Sequence, residues 1–225
     1  MRFERIFAWA GGAAFVASLA VLASWLALLG RPHPFAGWRP MAIDTLLFVV
    51  FAAHHSLLAR AGVQDAMRKI CPDRLLRTVY VWTASVLLVL VCWFWQPIGG
   101  QVYRTTGWTT LVHTGLAAAG LLMIVLSVRA IDALELAGIR KSHGDSNLQI
   151  TGPYRIVRHP LYLGWMLIVF APANMTGDRL FFAAISSAYL IVAIPWEERS
   201  LEAAYGAAYD GYKRLVRSRV IPYVY

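Results

Sequence analysis

Long apolar runs separated by short polar stretches dominate the pattern of the chain. Six such runs can be marked, at residues 6–29, 41–59, 78–96, 109–128, 161–175 and 179–196. Each is about long enough for a helix to cross the roughly 30 Å of hydrocarbon in a bilayer. The first run is too long for the apolar part of a signal peptide and lacks a clear small-x-small cleavage site, so it predicts a retained transmembrane helix. We therefore expect an all-α polytopic membrane protein of five to six transmembrane helices.

The last two runs leave two arrangements open. The fifth run is short, and the stretch APANMTGD, which contains Pro172, Asn174 and Gly177, breaks it from the sixth. The two runs therefore form either two full spans or a tight helical hairpin that does not cross the bilayer as two ideal spans. We divide the chain into N-terminal transmembrane helices (1–128) and a C-terminal region (129–225) that contains a polar connection, the hairpin and the tail.

Composition and charge agree with lipid as the main solvent. Hydrophobic residues make up 59% of the chain and charged residues only 15%, which is more apolar surface than a soluble core of this size can hide. The net charge of +9 is compatible with nucleic acid, but the basic residues lie between apolar runs and no nucleic-acid motif accompanies them. Cys71 and Cys92 have no metal-ligand spacing. We expect membrane lipid around the protein, no nucleic-acid partner and no metal.

The distribution of Lys and Arg predicts the orientation. If the N-terminus is cytoplasmic, four of the 21 Lys and Arg residues fall on the opposite side, namely Arg31, Arg39, Arg104 and Arg179. Cytoplasmic connections of membrane proteins are enriched in Lys and Arg. We therefore expect both ends of the chain in the cytoplasm, and an integral protein of the inner membrane in a bacterium.

Polar side chains crowd the start of the fifth run, in the stretch TGPYRIVRHPLYLGW. Pro160 is suited to the first turn of a helix, and the free N–H groups of that turn form a natural anion site. Arg155 and Arg158 precede it and can clamp a carboxylate or phosphate, while Tyr154 and Tyr162 add aromatic faces. The alternative is that these residues only anchor a helix end at the membrane interface.

Two acids and a tyrosine stripe follow on the same predicted side. Glu197 and Glu198, in PWEERSL, are either solvated or hold the ammonium of a zwitterion whose carboxylate binds the arginines. Carboxylates and aromatic rings also favour a cationic sulfonium. Tyr205, Tyr209 and Tyr212 share one helical face, which indicates either packing or an aromatic lid over an adenine ring.

Two histidines lie near the predicted cytoplasmic end of the second run. His54 and His55 are costly inside a span, which indicates either a functional site or a hydrogen bond to a neighbouring helix. Asp44 lies about three helical turns earlier, and we interpret it as an end-of-helix residue.

The signature GPYRIVRHPLYLGW, followed by EERSLEAAYGAAYDGYKRLV, resembles the C-terminal signature of the isoprenylcysteine carboxyl methyltransferase superfamily. These are integral membrane methyltransferases that use S-adenosylmethionine. The resemblance covers roughly the last 75 residues and implies a cytoplasmic C-terminal cofactor pocket in the region 129–225. The implied cofactor-binding residues are Tyr154, Arg158, His159, Pro160, Tyr162, Gly164, Glu197 and Glu198. Arg214, after DGYK, is a weaker member of the set.

The N-terminal half adds a second resemblance. AAHHSLLAR and DRLLRTVYVWTASVLLVLVCWFWQPIGG are similar to the methanethiol S-methyltransferase and NnrU-type branches of that superfamily. IDALELAGIRK, residues 131–141, resembles the loop that the thiol methyltransferases carry before the signature, although a histidine–phenylalanine pair there is replaced.

These resemblances imply a reaction and its catalytic residues. The methyl acceptor is small or lipid-like and enters from the bilayer, and it is either a thiol or an isoprenylcysteine-like carboxylate. The implied catalytic residues are Arg158, Glu197 and His55, with His55 facing the acceptor and taking a proton. The NnrU-type branch gives the alternative of a haem-binding membrane protein, in which His54 or His55 pairs with His113 or His159 as iron ligands.

Overall fold

A computed structural model of the chain describes residues 2–58, 61–69, 71–131 and 148–225. Most of the segment IDALELAGIRK, and with it the loop whose resemblance pointed to thiol methyltransferases, lies outside these described residues. The described residues form eight α-helices, a 3-10 helix and two short strands. Five of the helices are long and apolar enough to cross a membrane, which confirms an all-α, polytopic, integral membrane protein.

The described residues divide into two compact units, with the division after Gly100. The described part of the first unit contains helices α1 (Arg2–Leu28), α2 (Trp38–Leu57), α3 (Ala61–Arg68) and α4 (Asp73–Phe94). The described part of the second contains β1 (Gln101–Arg104), α5 (Trp108–Ala130), a 3-10 helix (Gly152–Arg155), α6 (Pro160–Phe170), β2 (Asn174–Thr176), α7 (Gly177–Tyr205) and α8 (Ala207–Leu215).

Buried polar contacts hold the first unit together. The Trp82 Nε1–H donates a 3.2 Å hydrogen bond to the carbonyl of Phe7, which joins α4 to α1. Asp44, which we interpreted as an end-of-helix residue, is instead fully buried within α2. Its Oδ1 accepts a 2.8 Å hydrogen bond from the backbone N–H of Gln96, just beyond the end of α4. A buried carboxylate therefore fixes the chain where it leaves α4.

The last two apolar runs form helices of unequal length. The fifth run gives α6, whose 11 residues extend only about 16 Å at 1.5 Å per residue. The sixth run was predicted to end at residue 196, but α7 has 29 residues and continues to Tyr205. Apolarity ends at Trp196, whereas EERSLEAAY is rich in helix-forming Glu, Arg, Leu and Ala and therefore continues the helix.

Strand pairing and a close helix crossing define the second unit. β1 and β2 pair antiparallel, with Arg104 opposite Asn174, and the Thr105 N–H donates to the carbonyl of Ala173 at 2.8 Å, so the start of α5 lies beside the end of α6. The chain runs away from this end along α5 and returns along α6. The two helices cross at Gly120 and Gly164, where a Cβ on either glycine would lie 2.7–2.8 Å from the carbonyl oxygen of the other. Only the absence of side chains at both positions permits this approach.

Candidate active site

The signature stretch is fixed by the C-terminal tail. The backbone N–H of Arg158 donates to the carbonyl of Ser218 at 3.0 Å, and that of His159 donates to the carbonyl of Arg219 at 2.8 Å. Pro160 then begins α6, as the sequence predicted. The N–H groups of Tyr162 and Leu163 both donate to the carbonyl of His159, so the helix start offers fewer free donors to an anion than we expected.

Arg158 and Glu198 form a buried ion pair between the signature and α7. The Nε–H of Arg158 donates to Oε1 of Glu198 at 2.7 Å, and both side chains are only 7% exposed. The Nη1 group of Arg158 donates to the carbonyls of Val216 and Arg217 at 2.8 and 2.7 Å. Two of its three guanidinium nitrogens are therefore committed to protein groups. The sequence had assigned Arg158 and Glu198 to opposite ends of a bound zwitterion, and the structure pairs them with each other.

A second arginine contacts the same carboxylate. The Nε–H of Arg219 donates to Oε2 of Glu198 at 3.2 Å, and its guanidinium lies 5.2 Å from the ring centroid of Tyr225. In the sequence, Arg219 is one of several basic residues of the tail, with no motif that marks it as a site residue. Its position in the tail that follows the signature was the only signal, since nothing in the sequence shows that the tail returns to the signature.

Glu197 and Tyr162 form a hydrogen bond in a more exposed position next to the ion pair. The Tyr162 hydroxyl donates to Oε2 of Glu197 at 2.6 Å, and the Glu197 side chain is 44% exposed. The His159 ring stacks on Tyr162 with a centroid separation of 5.3 Å. Of the two adjacent glutamates, Glu197 is thus the one that a solute can reach.

His159 lies between both carboxylates. Its Nδ1 is 3.5 Å from Oε2 of Glu197 and its Nε2 is 3.5 Å from Oε1 of Glu198, while the side chain is only 3% exposed. Burial alone lowers the pKa of His159, but the interactions with Glu197 and Glu198 outweigh it and raise the pKa above its usual value. Protonation of this ring is therefore favoured. Within the described residues, Nε2 has no partner with hydrogen-bond geometry.

The tyrosine stripe is part of a small core. Tyr209 and Tyr212 are buried with Val216, and Tyr154 and Tyr205 pack against them. The Tyr212 hydroxyl donates to the carbonyl of Tyr154 at 2.7 Å, and burial raises the pKa of Tyr212 to about 12. These contacts support the packing interpretation for Tyr212. The Tyr209 hydroxyl is also buried, but no described residue gives it a hydrogen-bond partner.

Other predicted residues have different surroundings. Gly164 lies at the crossing of α5 and α6, where it serves helix packing, and its predicted cofactor contact stays a prediction. Arg155 and Arg214 are exposed. His55 lies in the first unit, where Tyr80 is flanked by His54 at 5.7 Å and His55 at 5.5 Å between ring centroids.

The remaining histidine of the haem hypothesis has its own partner. Nδ1 of His113 lies 2.8 Å from the carbonyl oxygen of Ala171, and its ring packs on Tyr103. The described part of the chain contains no group of three or more His, Cys, Asp or Glu side chains that could hold a metal ion.

The donor set of the cluster fits a zwitterionic, cationic cofactor. Carboxylates and aromatic rings attract a sulfonium or ammonium, and arginines attract a carboxylate. One buried polar atom beside the cluster, the Oη of Tyr209, lacks a hydrogen-bond partner among the described residues. Buried polar groups in proteins are nearly always paired, so this hydroxyl is suited to a bound ligand.

Similar proteins identify the class. The family model described as phospholipid methyltransferase matches residues 109–208. Methanethiol S-methyltransferase 2 of Bradyrhizobium diazoefficiens is 36% identical over 182 residues, which cover 77% of this chain and 70% of that protein. Methanethiol S-methyltransferase of Mycobacterium tuberculosis is 32% identical over 199 residues, covering 82% of this chain and 79% of that protein. A nurim homolog of Drosophila melanogaster is 28% identical over 189 residues, covering 75% and 72%. No solved structure matches significantly.

The apolar helices and these matches together define an integral membrane methyltransferase. The chain belongs to the methanethiol S-methyltransferase family, within the isoprenylcysteine carboxyl methyltransferase-like superfamily that its signature predicted. Nothing in the matches supports the haem-binding alternative.

Proposed function

We propose that the protein transfers a methyl group from S-adenosylmethionine to a small thiol. The similarity to methanethiol S-methyltransferases over more than three quarters of the chain carries this proposal. The cluster of Arg158, His159, Glu197 and Glu198 supports it, because it combines the charges and aromatic faces that a sulfonium amino acid requires.

The residues of the cluster divide into an anchor and a contact surface. The buried pair of Arg158 and Glu198 connects the signature, α7 and the tail. Glu197, oriented by Tyr162, presents a half-exposed carboxylate to the cationic groups of the cofactor. We propose that the region 129–225 contains the cofactor-binding residues, and that Tyr154 contributes through the core it shares with Tyr209.

Methyl transfer requires close placement of the reactants, exclusion of water and electrostatics suited to the loss of positive charge. When bound, S-adenosylmethionine supplies the methyl group, which moves from its sulfonium sulfur to the acceptor sulfur as one S–C bond breaks and another forms. A thiol reacts as its thiolate, so its proton must leave to a base. His55 is the predicted proton acceptor, with a ring that packs on Tyr80. The catalytic role of Arg158 that the resemblance implies stays a prediction, because its guanidinium is already paired with Glu198.

The proposed location follows from the charge distribution. If the N-terminus is cytoplasmic, all but four of the 21 Lys and Arg residues fall on the same side as the signature and the tail, which supports a cytoplasmic position for both ends of the chain. The relatives from Bradyrhizobium and Mycobacterium are bacterial, which supports an inner-membrane location. In this orientation the cluster is open to a cytosolic cofactor, and the acceptor enters from the bilayer.

The proposal is tested in two stages on the purified protein in detergent. Calorimetric titration with S-adenosylhomocysteine should show binding in the micromolar range, and a folded protein that does not bind would refute the proposed cofactor. Isotope-labelled S-adenosylmethionine should then transfer its methyl group to methanethiol. An isoprenylated cysteine and a phospholipid amine serve as competing acceptors, and labelling of either in preference to the thiol would overturn the proposed acceptor.

A further inference from the structure

We propose that the hydroxyl of Tyr209 is a binding group for the amino-acid end of the methyl donor, where it donates a hydrogen bond to the donor's carboxylate. This inference rests on the proposed function and extends it to a residue that the sequence assigned either to packing or to a lid over adenine. It predicts a defined polar contact in place of either role.

The first observation is that the Tyr209 hydroxyl is a buried hydrogen-bond donor without a partner. Tyr209 is only 1% exposed, and its Oη has no hydrogen-bond partner among the described residues. Leaving a buried polar group unpaired is costly, and few native groups are left so. Tyr212, one helical turn away on the same face, has its hydroxyl paired with the carbonyl of Tyr154. The two neighbouring tyrosines therefore differ in whether the hydroxyl is available to hydrogen-bond a ligand.

The second observation is the charge around this hydroxyl. Tyr209 interacts electrostatically with Glu198, Arg158 and Glu197, the residues proposed to surround the cofactor's amino-acid end. Burial, with a further contribution from Glu198 that Arg158 opposes, raises the pKa of the Tyr209 hydroxyl. The hydroxyl therefore stays protonated and acts as a donor at neutral pH.

The third observation is a shortage of donors elsewhere. A bound carboxylate needs several N–H or O–H groups, and Arg158 was the obvious source. Its Nε and Nη1 groups are already engaged with Glu198 and two tail carbonyls. Arg219 is also engaged, with Glu198 and Tyr225. A carboxylate ligand therefore requires a further donor, and the buried, unpaired hydroxyl of Tyr209 can supply it.

Two tyrosine variants and two ligands test this assignment. The variants are Tyr209→Phe and Tyr212→Phe, and the ligands are S-adenosylhomocysteine and 5′-methylthioadenosine, which lacks the amino-acid end. Affinity is measured by calorimetry and the melting temperature without ligand by thermal unfolding in detergent. We expect Tyr209→Phe to bind S-adenosylhomocysteine about tenfold to hundredfold more weakly, as for a lost hydrogen bond to a charged group. Its affinity for methylthioadenosine and its melting temperature should not fall.

The control variant separates binding from folding. Tyr212→Phe removes a hydroxyl that is already paired within the protein, so it should lower the melting temperature without discriminating between the two ligands. The assignment is overturned if Tyr209→Phe binds S-adenosylhomocysteine as the wild type does, if it loses both ligands equally, or if its melting temperature falls as in Tyr212→Phe. Failure of the wild type itself to bind S-adenosylhomocysteine would instead refute the proposed cofactor, and this inference with it.

Discussion

Arg158 and Glu198 are 40 residues apart in the chain, and the Arg158 Nε and Glu198 Oε1 atoms lie 2.7 Å apart in the structure. Both side chains are almost completely buried. Arg158 also reaches two carbonyls of the tail, so a single guanidinium connects the signature, α7 and the C-terminal segment. The two motifs that identify the family are therefore held together by direct contact, and the tail completes the arrangement.

Removing one member of this pair should destabilise the protein strongly. Glu198→Ala leaves the buried Arg158 guanidinium without its carboxylate, and an uncompensated buried charge costs about 3–5 kcal/mol of unfolding free energy. Unfolding in detergent, followed by circular dichroism, measures the loss. Glu202→Ala on the same helix is the control, because Glu202 pairs with Lys213 near the surface and should change stability little. Equal effects of the two substitutions would argue against the anchor role.

The close approach of α5 and α6 at Gly120 and Gly164 gives a second prediction, for which Gly115 in α5 is the control. In Gly164→Ala the added Cβ would meet the Gly120 carbonyl oxygen and the Ile124 side chain at 2.8 Å, so α5 and α6 must separate. Such overpacking costs about 1–3 kcal/mol. Gly115→Ala, also in α5, places its methyl group in open space and should cost nothing measurable.

Ligand binding distinguishes the two roles considered for Gly164. If the residue serves packing, Gly164→Ala should bind S-adenosylhomocysteine with nearly wild-type affinity at a temperature well below its melting point. A large loss of affinity in a variant that melts like the wild type would instead support the cofactor contact predicted from the signature.

His159 should make stability depend on pH. Because the folded protein raises the pKa of His159 above 6.5, the protonated ring stabilises the fold fully below that pH. This contribution is lost as the pH rises through the higher pKa of the folded state. Melting temperatures measured from about pH 6 to about pH 9 should therefore decline, and the decline should be shallower in His159→Gln. Parallel profiles for the two proteins would exclude His159 as the source.

Glu197 should discriminate between a cationic and a neutral sulfur. S-adenosylmethionine carries a sulfonium and S-adenosylhomocysteine a thioether, and only the former gains from a facing carboxylate. In Glu197→Gln we expect the affinity for S-adenosylmethionine to fall by a further factor of about two to five beyond any loss for S-adenosylhomocysteine, as for a partly exposed charge pair. Glu202→Gln is the matched control on α7. An unchanged ratio of the two affinities would place Glu197 away from the sulfonium.

Hydropathy and motif spacing accounted for the architecture. The apolar runs predicted the long helices because a bilayer requires about 20 consecutive apolar residues in a span. Pro160 at the start of α6 followed equally from local chemistry, since proline is suited to the first turn of a helix. The signature and the glutamate pair were sufficient to predict the methyltransferase superfamily, which the relatives confirm.

Only the tertiary structure decided which polar atoms meet. Nothing local to Arg219 indicates that it reaches Glu198, because the contact depends on the tail returning beside Arg158 and His159. The sequence predicted Asp44 at a helix end, yet the folded chain buries it, and its carboxylate accepts a hydrogen bond from the backbone N–H of Gln96. The sequence by itself determined which segments leave water and which motifs carry charge, because those properties depend on local composition. Pairing, burial and the unused hydroxyl of Tyr209 depend on residues distant in the chain, and only their packing decides them.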